Sequence, residues 1–373
     1  MLTIYNYDYQ EKKNRVFLSN RFLRAFRAGL FENGGFPTII YDEREIVRYI
    51  DSQHAESFQN YFCYLCEGLS QDEFDVAVYM AKTLYQYTLK TFNCEFLVKS
   101  PILDAIYCWR LIRSLTGTDT AIRIMEAGAG SGMLGGILLQ QGYSYIGTDV
   151  TQAFYLTANR VLSLFTNNLC ELALDQSLYD YEAQCIHIPY WKLWEERDKE
   201  GGVDIFTCNH ALLEMHENAV RFYLKIAAQR MHNSKYGFFV VRGFGWNIQH
   251  SIQELMKEFE FFGYKLQYFD FNHETAVYSL QGNSVYEQAI QLLKNPHYTQ
   301  KEEYQIYSLG KNTKAKLNDR VLFTDDLGKQ IYNFLSHTEN RIDIEALERA
   351  YQQITSVQDS PDEVFGKFVR SIL

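Results

Sequence analysis

The sequence predicts an α/β protein in which a mostly parallel sheet is closed by an antiparallel hairpin and flanked by helical lobes at both ends. Three observations lead to this fold class. A glycine-rich turn separates a short apolar strand from an apolar helix at residues 122–135, and strand and helix patterns alternate from about 119 to 283. The last two predicted strands are joined by Asn272–Thr275. This connection is too short for a parallel crossover, which needs about a dozen residues or more.

The glycine-rich turn begins after Glu126, which ends the first predicted strand. Gly128, Gly130 and Gly132 permit positive φ angles and carry no Cβ, so the backbone can bend sharply and lie directly against a ligand. Glu126 disfavours a pyrophosphate at this bend and favours a ligand that carries a positive charge and an amine. Together with Ala129, these residues predict a binding site for S-adenosylmethionine.

The glycines also satisfy the G-x-G-x-x-G pattern of dinucleotide-binding folds, so the turn alone leaves two cofactors open. The second predicted strand ends in Asp149, where a carboxylate accepts the ribose hydroxyls of either cofactor. The terminal hairpin discriminates between them, because a dinucleotide-binding half does not end in this way. A parallel sheet closed by such a hairpin resembles the Rossmann-like fold of the class I methyltransferases.

The predicted sheet has seven strands, which lie near 121–126, 143–149, 185–188, 203–208, 236–242, 264–271 and 276–281. Helices alternate with them, and the clearest helical patterns cover 131–141, 154–172 and 247–261. We therefore expect a layered core in which helices cover both faces of the sheet.

The chain divides into three predicted parts, which are an N-terminal helical lobe (1–118), a cofactor-binding core (119–283) and a C-terminal helical region (284–373). In the first part, Ser70-Gln-Asp-Glu73 is a capping box that opens a helix. In the last part, helical patterns lie near 325–336, 343–354 and 361–373. The C-terminal region has three open roles: completing the substrate pocket, forming a homodimer or docking a partner.

Two segments, Val203–His216 and Thr148–Leu162, resemble the sugar O-methyltransferases of bacterial biosynthetic clusters. After the fourth strand, those proteins have a pair of polar residues like the one that begins at Asn209. A Glu–Met pair like the one that begins at Glu214 is also found there. The likeness covers roughly 100–283. It implies transfer of a methyl group from S-adenosylmethionine to a hydroxyl of a sugar or another small metabolite.

The chain departs from this resemblance after the third predicted strand. Many class I methyltransferases carry a carboxylate there that holds the adenine amino group, whereas this chain has Ile188-Pro-Tyr-Trp191. We therefore expect backbone groups and aromatic contact at Pro189 and Tyr190 to recognise adenine. Asn209, at the end of the fourth strand, completes the predicted cofactor site.

His210 is the predicted general base. Ligands of open α/β sheets bind at the carboxyl ends of the strands, and His210 follows the fourth strand there. An imidazole titrates near neutrality and can take the proton that a hydroxyl acceptor loses. If the loop is helical, Glu214 shares a face with His210 and orients its ring; His216 is the second candidate. The alternative is that His210 caps a helix and Glu214 is a solvated charge.

Composition excludes several other classes of function. The 36 basic and 46 acidic residues give a net charge of -10, which repels a nucleic acid backbone. We expect no membrane span, no signal peptide and a reducing compartment, because apolar runs are short and the seven cysteines form no framework. No spacing of carboxylates and histidines suits an octahedral metal site. The sequence therefore predicts a soluble, cytoplasmic protein that acts on a small molecule, and it assigns no metal site, which leaves open whether a metal is needed.

Two other functions stay open at this point. The acceptor atom can instead be nitrogen or carbon on a carrier-bound or peptide substrate, with the helical lobes as docking surfaces. The protein can also be a catalytically inactive scaffold that binds S-adenosylmethionine and acts through protein contacts.

Overall fold

The structure of the chain is a computed structural model, and within the residues that it describes nine strands form one sheet. These residues are 2–26, 38–51, 62, 65, 68–174, 182–243, 252–270, 273–281, 321–323, 325–336 and 341–356. The strands are β1 (Arg123–Ala127), β2 (Ser144–Asp149), β3 (Leu169–Glu171), β4 (Cys185–Pro189), β5 (Ile205–Asn209), β6 (Phe238–Arg242), β7 (Tyr264–Asp270), β8 (Thr275–Leu280) and β9 (Val321–Phe323).

Helices flank this sheet. They are α1 (Ile4–Arg15), α2 (Asn20–Ala25), α3 (Ile46–Asp51), α4 (Gln71–Phe92), α5 (Ser100–Thr116), α6 (Met133–Gln140), α7 (Gln152–Leu162), α8 (Tyr190–Glu195), α9 (Glu217–Arg230), α10 (Ile252–Phe261), α11 (Asp326–Ser336) and α12 (Ile344–Ser356). None of the helices in the described ranges is long and apolar enough to cross a bilayer.

The strand order is β3-β4-β2-β1-β5-β6-β8-β7-β9. Strands β1 to β7 run in one direction, and β8 and β9 run in the other. All seven predicted strands are present, and β3 and β9 extend the sheet at its two edges. The predicted parallel core with its terminal antiparallel hairpin is confirmed, and the sheet has the Rossmann-like arrangement of the class I methyltransferases.

The helix predicted over 154–172 is wrong in its second half. It ends at Leu162, and Leu169–Glu171 forms the edge strand β3. The buried Glu171 carboxylate accepts hydrogen bonds from two side chains of α7, the Tyr155 hydroxyl at 2.5 Å and the Asn159 amide. These tertiary bonds turn the segment back along α7, which an apolar pattern alone does not indicate.

The predicted capping box at the start of α4 is confirmed. The Glu73 N–H donates to Ser70 Oγ at 3.3 Å, and the Ser70 N–H donates to Glu73 Oε2 at 2.9 Å. Glu73 also accepts a hydrogen bond from Arg110 Nε of α5 at 2.8 Å, and both side chains are buried. Glu73 therefore helps to cap the start of α4 and also ties that helix to α5.

The C-terminal helices pack on the same core. Helix α11 lies against α5 and β7, and α12 lies against α4. An antiparallel bridge pairs Leu69, which precedes α4, with Ile342, which precedes α12. The Leu69 N–H donates to Ile342 O at 3.1 Å, and the Ile342 N–H donates to Leu69 O at 2.8 Å. Two predicted helices agree with α11 and α12, and the one predicted at 361–373 lies outside the described residues.

Candidate active site

A cleft opens at the carboxyl ends of β1, β2 and β5, and α5 closes one side of it. The topological switch point of the sheet lies between β1 and β5, because β2 to β4 lie on one side of β1 and the strands from β5 onward lie on the other. Ligands of open α/β sheets bind at this point. Eight predicted site residues line this cleft: Glu126, Gly128, Ala129, Gly130, Asp149, Asn209, His210 and Glu214. The fold therefore brings most of the predicted site together.

The glycine turn has the backbone conformation that the sequence predicts. The φ angles are 74° at Gly128, 56° at Gly130 and 76° at Gly132. A Cβ on Gly128 would lie 2.7 Å from the Cβ of Ala211, and one on Gly132 would lie 3.1 Å from the Cα of Ala158. A side chain at Gly128 would collide with the far wall of the cleft, and one at Gly132 would crowd the backbone of α7. The backbone of Gly128 and Gly130 therefore lines the cleft directly.

Asp149 holds the glycine turn and faces the cleft. Its Oδ2 accepts a hydrogen bond from Gly130 N at 3.0 Å, and its Oδ1 accepts from Val150 N at 2.7 Å and Thr151 N at 3.2 Å. Burial raises the pKa of this carboxyl to about 6, although the three backbone donors favour its ionised form. The predicted role of Asp149 was ligand binding alone, whereas the structure adds a role in fixing the turn.

Glu126 is buried at the base of the cleft between two neutral donors. Its Oε2 accepts from the Tyr145 hydroxyl at 2.5 Å, and its Oε1 accepts from Asn209 Nδ2 at 2.7 Å. The Cys108 thiol donates to Asn209 Oδ1, which sets the orientation of that amide. Burial is the main cause that raises the pKa of Glu126 to about 8. A cationic group in the cleft would favour the ionised carboxylate.

His210 is held in an unusual conformation after β5. Its φ angle is 55°, a left-handed value that a non-glycine residue adopts at a cost. Its N–H donates to Arg242 O at 2.9 Å, and its ring Nε2 lies 3.3 Å from Asp104 Oδ1. A Cβ on Gly243 would lie 2.4 Å from His210 Nδ1, so only glycine leaves room for the imidazole.

Asp104 is the site residue that sequence reasoning missed. It is buried on α5, lines the cleft and forms an ion pair with the buried Arg242 at the end of β6. The available signal was that Asp104 is the single acidic residue of an otherwise apolar and basic helix. Contact between this helix and the two strand ends is a tertiary feature, however, and no local pattern indicates it.

Glu214 lines the cleft, but it does not share a helical face with the imidazole. The residues Leu212–Glu214 form one turn of 3-10 helix. One hydrogen-bond partner of the His210 ring is Asp104 Oδ1, which lies on α5. Burial raises the pKa of Glu214 to about 7, and the nearby His210 acts in the opposite direction.

His216 lies outside the cleft and caps a helix. Its ring Nδ1 accepts a hydrogen bond from Asn218 N at 3.1 Å, so it is the N-cap of α9. The capping role that the sequence allowed for His210 therefore belongs to His216.

The two residues predicted to contact adenine do not line the cleft, although Pro189 is paired in register with Asp149 on the neighbouring strand. Pro189 is the N-cap of α8, and the buried Tyr190 donates its hydroxyl proton to Glu11 Oε1 of α1 at 2.8 Å. The apolar surface beside Asp149 comes instead from Val150 and Phe154. Val150 follows β2 directly and Phe154 lies in the first turn of α7, so their closeness to Asp149 in the chain was the sequence signal for them.

Metal coordination has no candidate among the described residues. No group of three or more His, Cys, Asp or Glu side chains there has a geometry that could hold a metal ion.

No family model matches the chain, and no curated protein does. Several solved methyltransferases share its fold. A TehB-like SAM-dependent methyltransferase from Corynebacterium glutamicum is 16% identical, with 46% of this chain and 88% of that chain covered and a TM-score of 0.35. The methyltransferase domain of bacterial CtHen1-CN is 18% identical, with 46% and 95% covered and a TM-score of 0.32. Magnesium protoporphyrin IX methyltransferase from Synechocystis, crystallised with SAM, is 13% identical, with 65% and 98% covered and a TM-score of 0.29. These similarities concern the fold alone.

Proposed function

We propose that this protein is an S-adenosylmethionine-dependent methyltransferase. One observation carries the proposal: a turn with three left-handed glycines lies between two buried carboxyl groups, Glu126 and Asp149, at the carboxyl ends of β1 and β2. The bare backbone suits close approach of a ligand, and the two carboxyl groups suit a cationic amine at one end and a ribose at the other.

Different residues of the cleft bind different parts of the cofactor. Asp149 accepts the ribose hydroxyls, and Glu126 with Asn209 receives the amino group of the methionine part. Val150 and Phe154 offer the apolar surface for adenine. The cofactor supplies an electrophilic methyl group on a positively charged sulfur.

A dinucleotide fits these surroundings poorly. Its pyrophosphate would lie at the glycine turn, close to the carboxyl groups of Glu126 and Asp149. Among the described residues that line the cleft there is no Lys or Arg side chain to neutralise it. Asp149, whose three backbone donors favour the ionised form, would repel the pyrophosphate, and Glu126 would do so where it is ionised. This repulsion favours the cationic cofactor.

The acceptor that we propose is a hydroxyl of a sugar or another small metabolite. A hydroxyl must lose its proton as the new carbon–oxygen bond forms, and His210 is a suitable base at the edge of the cleft. The resemblance of the strand β5 region to sugar O-methyltransferases supports this class of acceptor.

An amine is the second candidate acceptor, and the charge of the cleft favours it. Four carboxyl groups line the cleft, from Asp104, Glu126, Asp149 and Glu214. A cationic amine beside these groups would favour their ionised forms.

Binding of the cofactor is tested by isothermal titration calorimetry. We expect S-adenosylmethionine to bind, and Asp149→Ala to weaken binding by roughly tenfold or more because two charge-assisted hydrogen bonds are lost. Asp270→Ala is the matched control, since Asp270 is a buried aspartate at the end of β7 that does not line the cleft. Tighter binding of a nicotinamide dinucleotide, or equal affinity of parent and Asp149→Ala, would overturn the proposal.

Methyl transfer is tested with labelled cofactor against a panel of sugars, other alcohols and amines. We expect His210→Ala to keep its affinity for the cofactor and to lose about tenfold or more in turnover, as for removal of a general base. His216→Ala is the control, because this histidine caps α9 and should affect stability only. Unchanged turnover in His210→Ala would remove His210 from the reaction, and no turnover with any acceptor would favour an inactive scaffold.

A further inference from the structure

A buried carboxylate on α5 connects the end of β6 to the candidate base. Asp104 Oδ1 is the shared partner of two groups, the guanidinium of Arg242 and Nε2 of His210 at 3.3 Å. Three separate parts of the chain therefore meet at one oxygen atom: helix α5, strand β6 and the loop after β5.

We propose that Asp104 is a positioning residue that fixes the ring orientation and the tautomer of His210, and this inference rests on the proposed function. A carboxylate paired with arginine accepts hydrogen bonds and cannot donate them, and arginine only donates. The ring nitrogen that faces Asp104 must therefore carry the proton. His210 is held as the Nε2–H tautomer, with its lone pair on Nδ1.

Asp104 is itself held rigidly. Arg242 Nη1 also donates to the backbone oxygen of Asp104 at 3.2 Å, and its guanidinium lies 4.5 Å from the ring centre of Tyr107 on the same helix. The Arg242 side chain is 1% exposed, and that of Asp104 is 7% exposed. Arg242 belongs to β6, which is paired with β5 on one side and with β8 on the other. The sheet therefore fixes the position of Arg242, and through it that of the Asp104 carboxylate.

The backbone around His210 supports the same placement from the opposite side. The left-handed φ of His210 costs conformational energy, and such strain persists where the surroundings impose it. Gly243 packs against the imidazole so closely that any Cβ there would lie within 2.4 Å of Nδ1. Gly243 and Asp104 therefore restrict the orientation of the ring from two sides.

This arrangement gives Asp104 an indirect part in methyl transfer. With the methyl donor bound, the acceptor hydroxyl would lose its proton to the imidazole of His210 as its oxygen bonds to the methyl carbon, and the electron pair of the broken carbon–sulfur bond would stay on sulfur. The products are a methyl ether, a neutral thioether and an imidazolium. Asp104 stabilises the imidazolium through Nε2–H until the proton leaves to solvent.

The tautomer of His210 is measured by nuclear magnetic resonance of protein labelled with 15N-histidine, with the His210 signals assigned by their loss in His210→Gln. In the parent protein we expect the two ring nitrogens to have the shifts of the Nε2–H form. Observation of the Nδ1–H form in the parent would overturn the proposal without any variant.

Two substitutions at Asp104 separate its hydrogen bond from its charge. Asp104→Asn keeps an acceptor oxygen, so we expect the Nε2–H form to persist. Asp104→Ala removes the acceptor, so we expect averaged shifts from both tautomers. Asp270→Ala is the matched control, because it removes the aspartate that contacts His273 Nδ1 and should change the signals of His273 only. Unchanged His210 shifts in folded Asp104→Ala would contradict the inference.

Kinetics with the acceptor from the panel add a second readout. We expect Asp104→Ala to lower kcat by about tenfold with unchanged affinity for S-adenosylmethionine, and Asp104→Asn to restore part of that loss. The resonance experiment needs no acceptor, so failure of this inference is distinct from failure of the proposed function, which the calorimetry tests.

Discussion

Two carboxyl groups of the candidate site differ in how the protein surrounds them. Asp149 accepts three backbone N–H groups, and Glu126 accepts one hydroxyl and one amide proton. Burial raises both pKa values, to about 6 for Asp149 and about 8 for Glu126. The backbone donors thus keep Asp149 the more acidic group. Glu126 is the group whose charge changes near neutral pH.

This difference predicts a pH dependence of stability. The pKa of Glu126 rises from its ordinary value of 4.5 to about 8 on folding, so the folded state holds the proton more tightly between these pH values. The stabilisation is complete below the unfolded pKa and is lost as the pH rises through the folded pKa, at up to about 1.4 kcal/mol per pH unit. We expect the free energy of unfolding of the parent, relative to Glu126→Gln, to fall between pH 5 and 8.

Urea unfolding of both proteins across this pH range measures the difference. Comparison with Glu126→Gln removes the contributions of Asp149 and Glu214, which both proteins share. A difference that stays constant with pH would show that Glu126 ionises normally.

At the scale of elements, the glycine turn is where strand β1 meets helix α6 and the cleft wall. The turn was predicted from glycine spacing, and its three positive φ angles confirm that prediction. What spacing does not indicate is which glycine is sterically required. Ala211, on the loop after β5, closes over Gly128, and this contact joins the turn to the opposite wall.

We expect Gly128→Ala to weaken binding of S-adenosylmethionine by about tenfold or more, because the new methyl group would lie 2.7 Å from Ala211 Cβ and its φ of +74° disfavours any side chain. Gly201→Ala is the matched control. Gly201 has a φ of +71° and nothing within 4 Å of the added Cβ, so it carries the backbone strain without the collision. Calorimetry of both variants is the measurement, and an equal loss of affinity in both would show that strain alone is responsible.

At the scale of the whole molecule, the C-terminal helices support the wall of the cleft. Helix α11 packs on α5, which carries Asp104, and α12 packs on α4, which Glu73 and Arg110 tie to α5. The fully buried Leu347 of α12 belongs to the same hydrophobic cluster as the strands of the sheet. We therefore expect α11 and α12 to unfold with the core rather than separately.

This packing predicts the effect of a cavity in α12. We expect Leu347→Ala to cost about 2–5 kcal/mol and to leave a single cooperative unfolding transition. Calorimetric melting of the full chain measures both quantities. A second, earlier transition in the variant would show that α11 and α12 form an independent unit.

The sequence by itself determined the positions of the seven central strands along the chain, the antiparallel hairpin and the conformation of the glycine turn. These features depend on local chemistry: residues near one another in the chain decide where glycine, a cap or a short connection is needed. The tertiary structure decided the edge strand at Glu171, the cap at His216, the burial of Tyr190 against Glu11 and the contact of Asp104 with His210. Each of these depends on groups far apart in the chain, where burial and hydrogen bonding between elements outweigh local preference.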